Sequence, residues 1–135
     1  MLFPIAISVG DKKHAHGVEV PDLPGCFSAG DTLDEAITNA YEAIDLHLSA
    51  MSDDDEPLPV AKTVEYYRKK KEYAGRVWAL VDIDITKYLG KAEKINVTLP
   101  GSLIRRIDEF VEKNPIYGSR SGFLAKVSAE RLTSQ

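Results

Sequence analysis

The sequence predicts an α+β fold in two parts. We expect a β-β-β-α-β domain over residues 1–85, a linker at residues 86–93, and a strand-helix-helix domain over residues 94–135. Three observations support this prediction. The opening stretch "FPIAISV" alternates apolar residues with smaller or polar ones, as a half-buried strand requires. The stretch "TLDEAITNAYEAIDLHLSAM" has a helical period, and "KINVTL" alternates again before two further helical patterns.

The other strands of the first domain are short. After a hairpin-like loop at "GDKKHAH", the stretches "GVEV" and "CFSA" predict the second and third strands. The strongest strand signal is "RVWALVDIDI", because its aromatic and β-branched residues suit a pleated surface. Before it, "TVEYYRKKKEYAG" predicts a short helix from Thr63 that ends at Gly75, a residue type that often follows the last helical turn.

The long helix of the first domain has a clearly marked beginning. Thr32 and Glu35 match an S/T-x-x-E capping box, and Asp34 in the first turn suits the positive end of the helix dipole. The predicted buried face contains six residues at helical spacing: Leu33, Ile37, Ala40, Tyr41, Ile44 and Leu48. The stretch "SDDDEPLP" ends the helix and predicts an exposed acidic loop.

The second domain begins with a strand that has one apolar and one polar face. The apolar face consists of Ile95, Val97 and Leu99, and the polar face consists of Lys94, Asn96 and Thr98. Two helices are predicted from "GSLIRRIDEFVEKN" and "SRSGFLAKVSAERL", the second capped by Ser119. A lone strand leaves its edge and its apolar face uncovered, so we expect two copies of the chain to pair their strands antiparallel.

Composition and charge narrow the class of protein. The single cysteine excludes an internal disulfide and an all-cysteine metal site. No apolar stretch approaches the ~20 residues that span a bilayer, and the short N-terminal run predicts a strand and not a signal peptide, so we expect a cytoplasmic protein.

The charge of the chain is unevenly distributed. Residues 1–89 carry nine Lys/Arg and sixteen Asp/Glu (net −7), whereas residues 90–135 carry eight Lys/Arg and five Asp/Glu (net +3). This asymmetry indicates two different partners.

The residues that bear reactive groups do not indicate an enzyme. Cys26 has Asp22 and Asp31 nearby in sequence, and acids raise the pKa of a thiol, so we expect a core residue and not a nucleophile. The "HAH" and "DDDE" stretches have weak metal-binding patterns, which a solvated loop explains as well. We therefore predict no catalytic residues, no metal site and no cofactor.

The stretch "KINVTLPGSLIRRIDEFVEKNPIYGSRSGFLAKVSAERL" resembles a ribbon-helix-helix DNA-binding domain. A two-stranded ribbon fits the major groove, and the alternation places lysine, asparagine and threonine side chains on its polar face. The beginning of the second helix would hold a backbone phosphate. The predicted base contacts are Lys94, Asn96 and Thr98, and the predicted phosphate contacts are Ser119, Arg120 and Ser121. The alternative is that the polar face is only solvated.

The stretch "VPDLPGCFSAGDTLDEAITNAYEAIDLHL", preceded by "FPIAI" and followed by an acidic "EPLP" loop, resembles the N-terminal domain of HicB antitoxins. The resemblance implies a partial RNase H-like fold without nuclease activity. It also implies a partner, HicA, a small basic toxin that cleaves mRNA through a catalytic histidine. HicB proteins neutralise HicA and, through their DNA-binding domain, repress their own operon. The resemblance thus implies an antitoxin, which is not an enzyme.

An acidic domain suits a basic RNA-cleaving toxin, and a basic domain suits DNA. The predicted toxin-binding residues are Asp22, Leu23, Asp53, Asp54 and Asp55. For the "DLPGC" corner a purely structural turn is at least as good an interpretation as direct contact. We expect a dimer through the ribbon, with pairing of dimers into tetramers left open. The alternative function is a ribbon-helix-helix repressor whose first domain senses a small ligand.

Overall fold

The computed structural model describes residues 1–134, which divide into two units. Unit 1 comprises residues 1–83 with residues 133 and 134, and unit 2 comprises Asp84–Leu132. The elements in chain order are β1 (Leu2–Ser8), β2 (His16–Glu19), β3 (Phe27–Gly30), α1 (Leu33–Asp53), α2 (Val64–Arg68), β4 (Val77–Asp82), α3 (Gly101–Lys113) and α4 (Arg120–Thr133). Among residues 1–134, the helices all lack the combination of length and hydrophobicity that a membrane span needs.

Unit 1 is built on a four-stranded antiparallel sheet in the order β3-β2-β1-β4. The predicted order of three strands, a helix and a final strand is confirmed. The strand β1 occupies a central place, with Ala6 opposite Glu19 of β2 on one side and Trp78 of β4 on the other. The helix α1 packs against β3 and β2.

The prediction of a half-buried β1 was wrong, because both of its faces are covered. Every residue from Phe3 to Ile7 is buried, including Pro4. On the face that carries Ala6, a cluster of Tyr67, Tyr73 and Trp78 covers the strand. The alternation in the sequence reflects smaller residues under this aromatic cluster and not exposure to solvent.

The helix α1 begins as the sequence predicts. The Thr32 hydroxyl accepts from the backbone N–H of Glu35 (3.1 Å), and the Glu35 carboxylate accepts from the N–H of Asp31 (3.1 Å). The buried face was predicted only in part. Its buried residues are Ala36, Ala40, Ile44 and Leu48, whereas Leu33 and Tyr41 are exposed. The small Ala36 and Ala40 let the helix approach the sheet closely.

The second helix is shorter than predicted. It begins where expected, with the Thr63 hydroxyl accepting from the N–H of Tyr66, but it ends at Arg68. The backbone is extended at Lys70, and a 3-10 turn, Lys71–Tyr73, follows before Gly75 at φ +76°. This break allows both Tyr67 and Tyr73 to point into unit 1, which one continuous helix of that length would not do.

Unit 2 contains α3 and α4, as the sequence predicts. Phe110, Tyr117 and Phe123 pack together in this unit, with ring centroids 5.2 to 5.6 Å apart. The predicted linker is less irregular than expected, because it opens with a 3-10 turn at Thr86–Tyr88. Residues 94–99 belong to no helix or strand in the single chain. A strand needs a neighbouring strand to complete its backbone hydrogen bonds. The strand expected at residues 94–99 therefore stays a prediction for the state in which two copies of the chain are paired.

Candidate functional site

The "DLPGC" corner is an interior turn of unit 1. The N–H of Cys26 donates to the carbonyl of Leu23 (3.0 Å), and Gly25 has φ +86°, a conformation that favours glycine at this position of a turn. Leu23 is 1% exposed and Asp22 is 8% exposed. Neither side chain is available for direct contact with a toxin in this conformation, which favours the structural interpretation of the corner.

Asp22 is the buried carboxylate of unit 1. Its Oδ1 accepts from the Tyr67 hydroxyl (2.5 Å) and from the backbone N–H of Lys62 (3.2 Å). Its Oδ2 is buried and has no hydrogen-bond partner in the described residues. Burial raises the pKa of Asp22, although both hydrogen bonds act in the opposite direction. Asp22 thus fastens the corner to α2, a contact across 45 positions that no local sequence pattern indicates.

Tyr67 joins this corner to the aromatic cluster of unit 1. Its ring stacks on Trp78, with centroids 6.4 Å apart, and meets Tyr73 edge to face at 5.9 Å. Burial, together with the hydrogen bond to Asp22, raises the pKa of Tyr67. This cluster was not predicted from the sequence. The available signal is the spacing of aromatic residues in "EYYRKKKEYAGRVW", a stretch that by itself predicts one short helix followed by a strand.

The reactive side chains are in structural positions. Cys26 is buried, and that burial raises the pKa of its thiol, which disfavours a nucleophilic thiolate. In the loop between β1 and β2, His14 Nδ1 lies 2.9 Å from Asp11 Oδ1, and at the start of β2 His16 Nδ1 accepts from the N–H of Gly10 (2.8 Å). Among residues 1–134, no three His, Cys, Asp or Glu side chains form a group that could hold a metal ion.

The predicted acidic loop lies at the C-terminal end of α1. Asp53, Asp54 and Asp55 are all exposed, and none of them forms an ion pair within residues 1–134. The last turn of α1 contains no basic residue. Carboxylates are unfavourable at this negative end of a helix dipole, so stability of the helix does not explain them.

The residues predicted to contact DNA bases are exposed in the single chain. Lys94, Asn96 and Thr98 are open to solvent, but so are two residues of the apolar face, since Ile95 is 73% exposed and Val97 is 60% exposed. The exposure therefore does not distinguish the two faces.

The beginning of α4 has a defined local structure. The Ser119 hydroxyl accepts from the N–H of Gly122 (3.1 Å), which confirms Ser119 as the N-cap. Arg120 donates to both carboxylate oxygens of Asp108, from Nε at 3.0 Å and from Nη2 at 2.6 Å. This hydrogen-bonded ion pair lowers the pKa of Asp108. Ser121 is exposed on the first turn. A phosphate at Arg120 would therefore compete with Asp108.

Comparison with known proteins identifies relatives along almost the whole chain. A family model described as HicB_like antitoxin of bacterial toxin-antitoxin system matches residues 3–128. An uncharacterized 14.9 kDa protein of the rep-hol intergenic region of Haemophilus phage HP1 is 49% identical over 134 residues, 99% of each chain. The structure of the Burkholderia pseudomallei antitoxin HicB is 42% identical, covers 98% of both chains and gives a TM-score of 0.76. A chain of the HicA3 and HicB3 toxin-antitoxin complex is 33% identical, covering 62% of this chain and 99% of that one, with a TM-score of 0.51.

Proposed function

This chain belongs to the family of HicB-like antitoxins of bacterial toxin-antitoxin systems, and from that premise we propose that it neutralises a HicA-type toxin. It acts by binding and not by catalysis, in the cytoplasm, and it uses no cofactor. We propose further that a dimer of the chain binds operator DNA and represses its own operon. The observation that supports the toxin part most directly is the family match across residues 3–128, together with a related chain found in a HicA3–HicB3 complex.

The toxin-binding surface is proposed to lie on unit 1 and to include the acidic loop. The three carboxylates of Asp53, Asp54 and Asp55 are exposed and unpaired in the described residues, and they occupy a position unfavourable for helix stability. A small basic toxin would be attracted by such a loop, which would occupy the place of RNA phosphates on it. Asp22 and Leu23 contribute to toxin binding indirectly, because they stabilise the "DLPGC" corner of unit 1.

Neutralising the loop tests this assignment. In Asp53→Asn/Asp54→Asn/Asp55→Asn, we expect the association rate with a HicA-type toxin to fall about tenfold at low salt, because electrostatic steering is lost. At high salt the difference from wild type should vanish. Glu42→Gln, which removes one exposed carboxylate from the middle of α1, is the control. Equal on-rates for wild type and the triple variant at low salt would exclude the loop from the toxin-binding surface.

The DNA-binding surface is proposed to form when residues 94–99 of two copies pair as an antiparallel ribbon. Support comes from Ile95 and Val97, whose apolar side chains are mostly exposed in the single chain and would be covered by the second copy. Pairing would leave Lys94, Asn96 and Thr98 on the opposite face, where they could contact base edges in the major groove.

Phosphate contacts are proposed at the beginning of α4. The first-turn N–H groups there, with the side chains of Ser119, Arg120 and Ser121, would bind the DNA backbone and fix its register.

Two substitutions test the DNA-binding surface. Asn96→Ala should relax discrimination between operator and unrelated DNA. Arg120→Ala should weaken binding to both and reduce the salt dependence of the affinity. Both variants are titrated with operator DNA and with unrelated DNA to measure their affinities. If each variant loses the same affinity for the two DNAs, the result would contradict the ribbon assignment.

A further inference from the structure

Unit 1 is acidic as a whole but contains one strongly basic segment. Residues 1–61 carry two Lys/Arg and twelve Asp/Glu, a net charge of −10. Residues 62–76, here named the basic segment, carry six Lys/Arg and two Asp/Glu, a net charge of +4. The proposed toxin is basic, so this segment would repel it. The function assigned to unit 1 so far does not explain these positive charges.

Two lysines of the basic segment are gathered around one exposed tyrosine. The Lys62 Nζ donates to the Tyr66 hydroxyl (3.1 Å) and lies 4.3 Å from the centroid of its ring. The Lys70 Nζ lies 4.8 Å from the same centroid and 5.7 Å from that of Tyr67. The hydrogen bond from Lys62 and the positive charges of both lysines lower the pKa of Tyr66. The rings hold two ammonium groups close together through cation–π contacts.

The three consecutive lysines of the segment have no acidic partners. Lys69, Lys70 and Lys71 are exposed, and none lies within ion-pairing distance of a carboxylate in residues 1–134. The two arginines of the segment do form ion pairs, Arg68 with Glu65 and Arg76 with Glu19. The break between α2 and the following 3-10 turn exposes the lysines at the end of the helix. Their charge is therefore available to an external anion.

We propose that the basic segment is a second, sequence-independent contact surface for duplex DNA, where Lys69, Lys70 and Lys71 bind backbone phosphates. This inference rests on the proposed DNA-binding function. Once the ribbon holds the chain on DNA, the effective concentration of phosphate near unit 1 is high, so individually weak ammonium–phosphate contacts contribute to affinity. The contacts also offset the repulsion between DNA and the acidic remainder of unit 1. Toxin and DNA then use oppositely charged surfaces of the same unit.

The test is the salt dependence of DNA binding by the full chain. The variant is Lys69→Gln/Lys70→Gln/Lys71→Gln, and the control is Lys12→Gln/Lys13→Gln, which removes two exposed lysines from the β1–β2 loop of the same unit. The probes are duplex DNA from directly upstream of the chain's own coding sequence and a scrambled duplex of equal composition. Thermal unfolding followed by the fluorescence of Trp78, the only tryptophan, verifies that each variant is folded.

The slope of log affinity against log salt should become shallower by about 0.9 for each phosphate that the variant no longer binds, so by about 2.7 for three phosphates on one chain and by about 5.4 for the bound dimer. The reduction should be equal on both duplexes, because phosphates carry no sequence information. The control should keep the wild-type slope. A wild-type slope in the triple variant would overturn this inference and leave the ribbon function intact. No DNA binding by the wild type would overturn both.

One further outcome would show that a second copy of the chain, and not DNA, binds the basic segment. If the triple variant also loses an oligomer that the wild type shows by sedimentation at low salt, the lysines pair with carboxylates of a second copy. That result would overturn the DNA assignment of the basic segment.

Discussion

Removing the Tyr67 hydroxyl tests whether its hydrogen bond to the buried Asp22 stabilises unit 1. In Tyr67→Phe the ring still packs on Trp78 and Tyr73, but Asp22 loses its 2.5 Å hydrogen bond. The carboxylate then keeps only the Lys62 N–H, since its Oδ2 has no partner within the described residues. Removing the donor to a buried acid costs about 2 kcal/mol. For a unit of this size, we expect the Tm to fall by roughly 8–16 °C.

Fluorescence of Trp78 is the appropriate assay, because this residue contacts Tyr67 directly and is the only tryptophan in the chain. Tyr66→Phe is the matched control. It removes a hydroxyl from the adjacent tyrosine, which is 43% exposed, and should change the free energy of unfolding by no more than about 0.5 kcal/mol. Equal and small effects of the two substitutions would refute the structural role assigned to the Asp22–Tyr67 contact.

Two further predictions concern individual carboxylates. Burial raises the pKa of Asp22, so between the ordinary value of 3.8 and the raised value the folded state binds more protons than the unfolded state. Stability of the wild type should therefore fall, relative to Asp22→Asn, as the pH rises through that window. Urea unfolding followed by Trp78 over a pH series measures this difference, and parallel profiles would contradict it. In unit 2, Asp108→Asn should release Arg120 for phosphate and strengthen DNA binding in a fluorescence-anisotropy titration, whereas weaker binding would remove Arg120 from the proposed phosphate site.

The sequence predicted those features whose signal lies within a few residues. The capping box at Thr32 and the N-cap at Ser119 are examples, because each depends on hydrogen bonds between residues three positions apart. The order of strands and helices in unit 1 was predictable for a similar reason. Each strand has its own alternating or β-branched pattern, and each is bounded by turn residues.

The features that were mispredicted depend on contacts between distant residues. The alternation in β1 predicted one exposed face, but an aromatic cluster 60 or more positions away covers it. The hydrogen bond from Tyr67 to the buried Asp22 was not predicted, because nothing near Asp22 in sequence indicates this partner, and the toxin contact assigned to Asp22 stays a prediction. The break after Arg68 arises because Tyr73 is drawn into the same cluster, a tertiary effect that outweighs helix propensity.

Native mass spectrometry of a tagged copy, purified at low salt from its own host, tests the central claim most directly. The antitoxin function predicts a complex with a small basic protein at a fixed ratio, and release of that protein should restore RNA cleavage. A homo-oligomer without a protein partner would contradict this function. That result would instead favour a repressor whose first domain senses a small ligand.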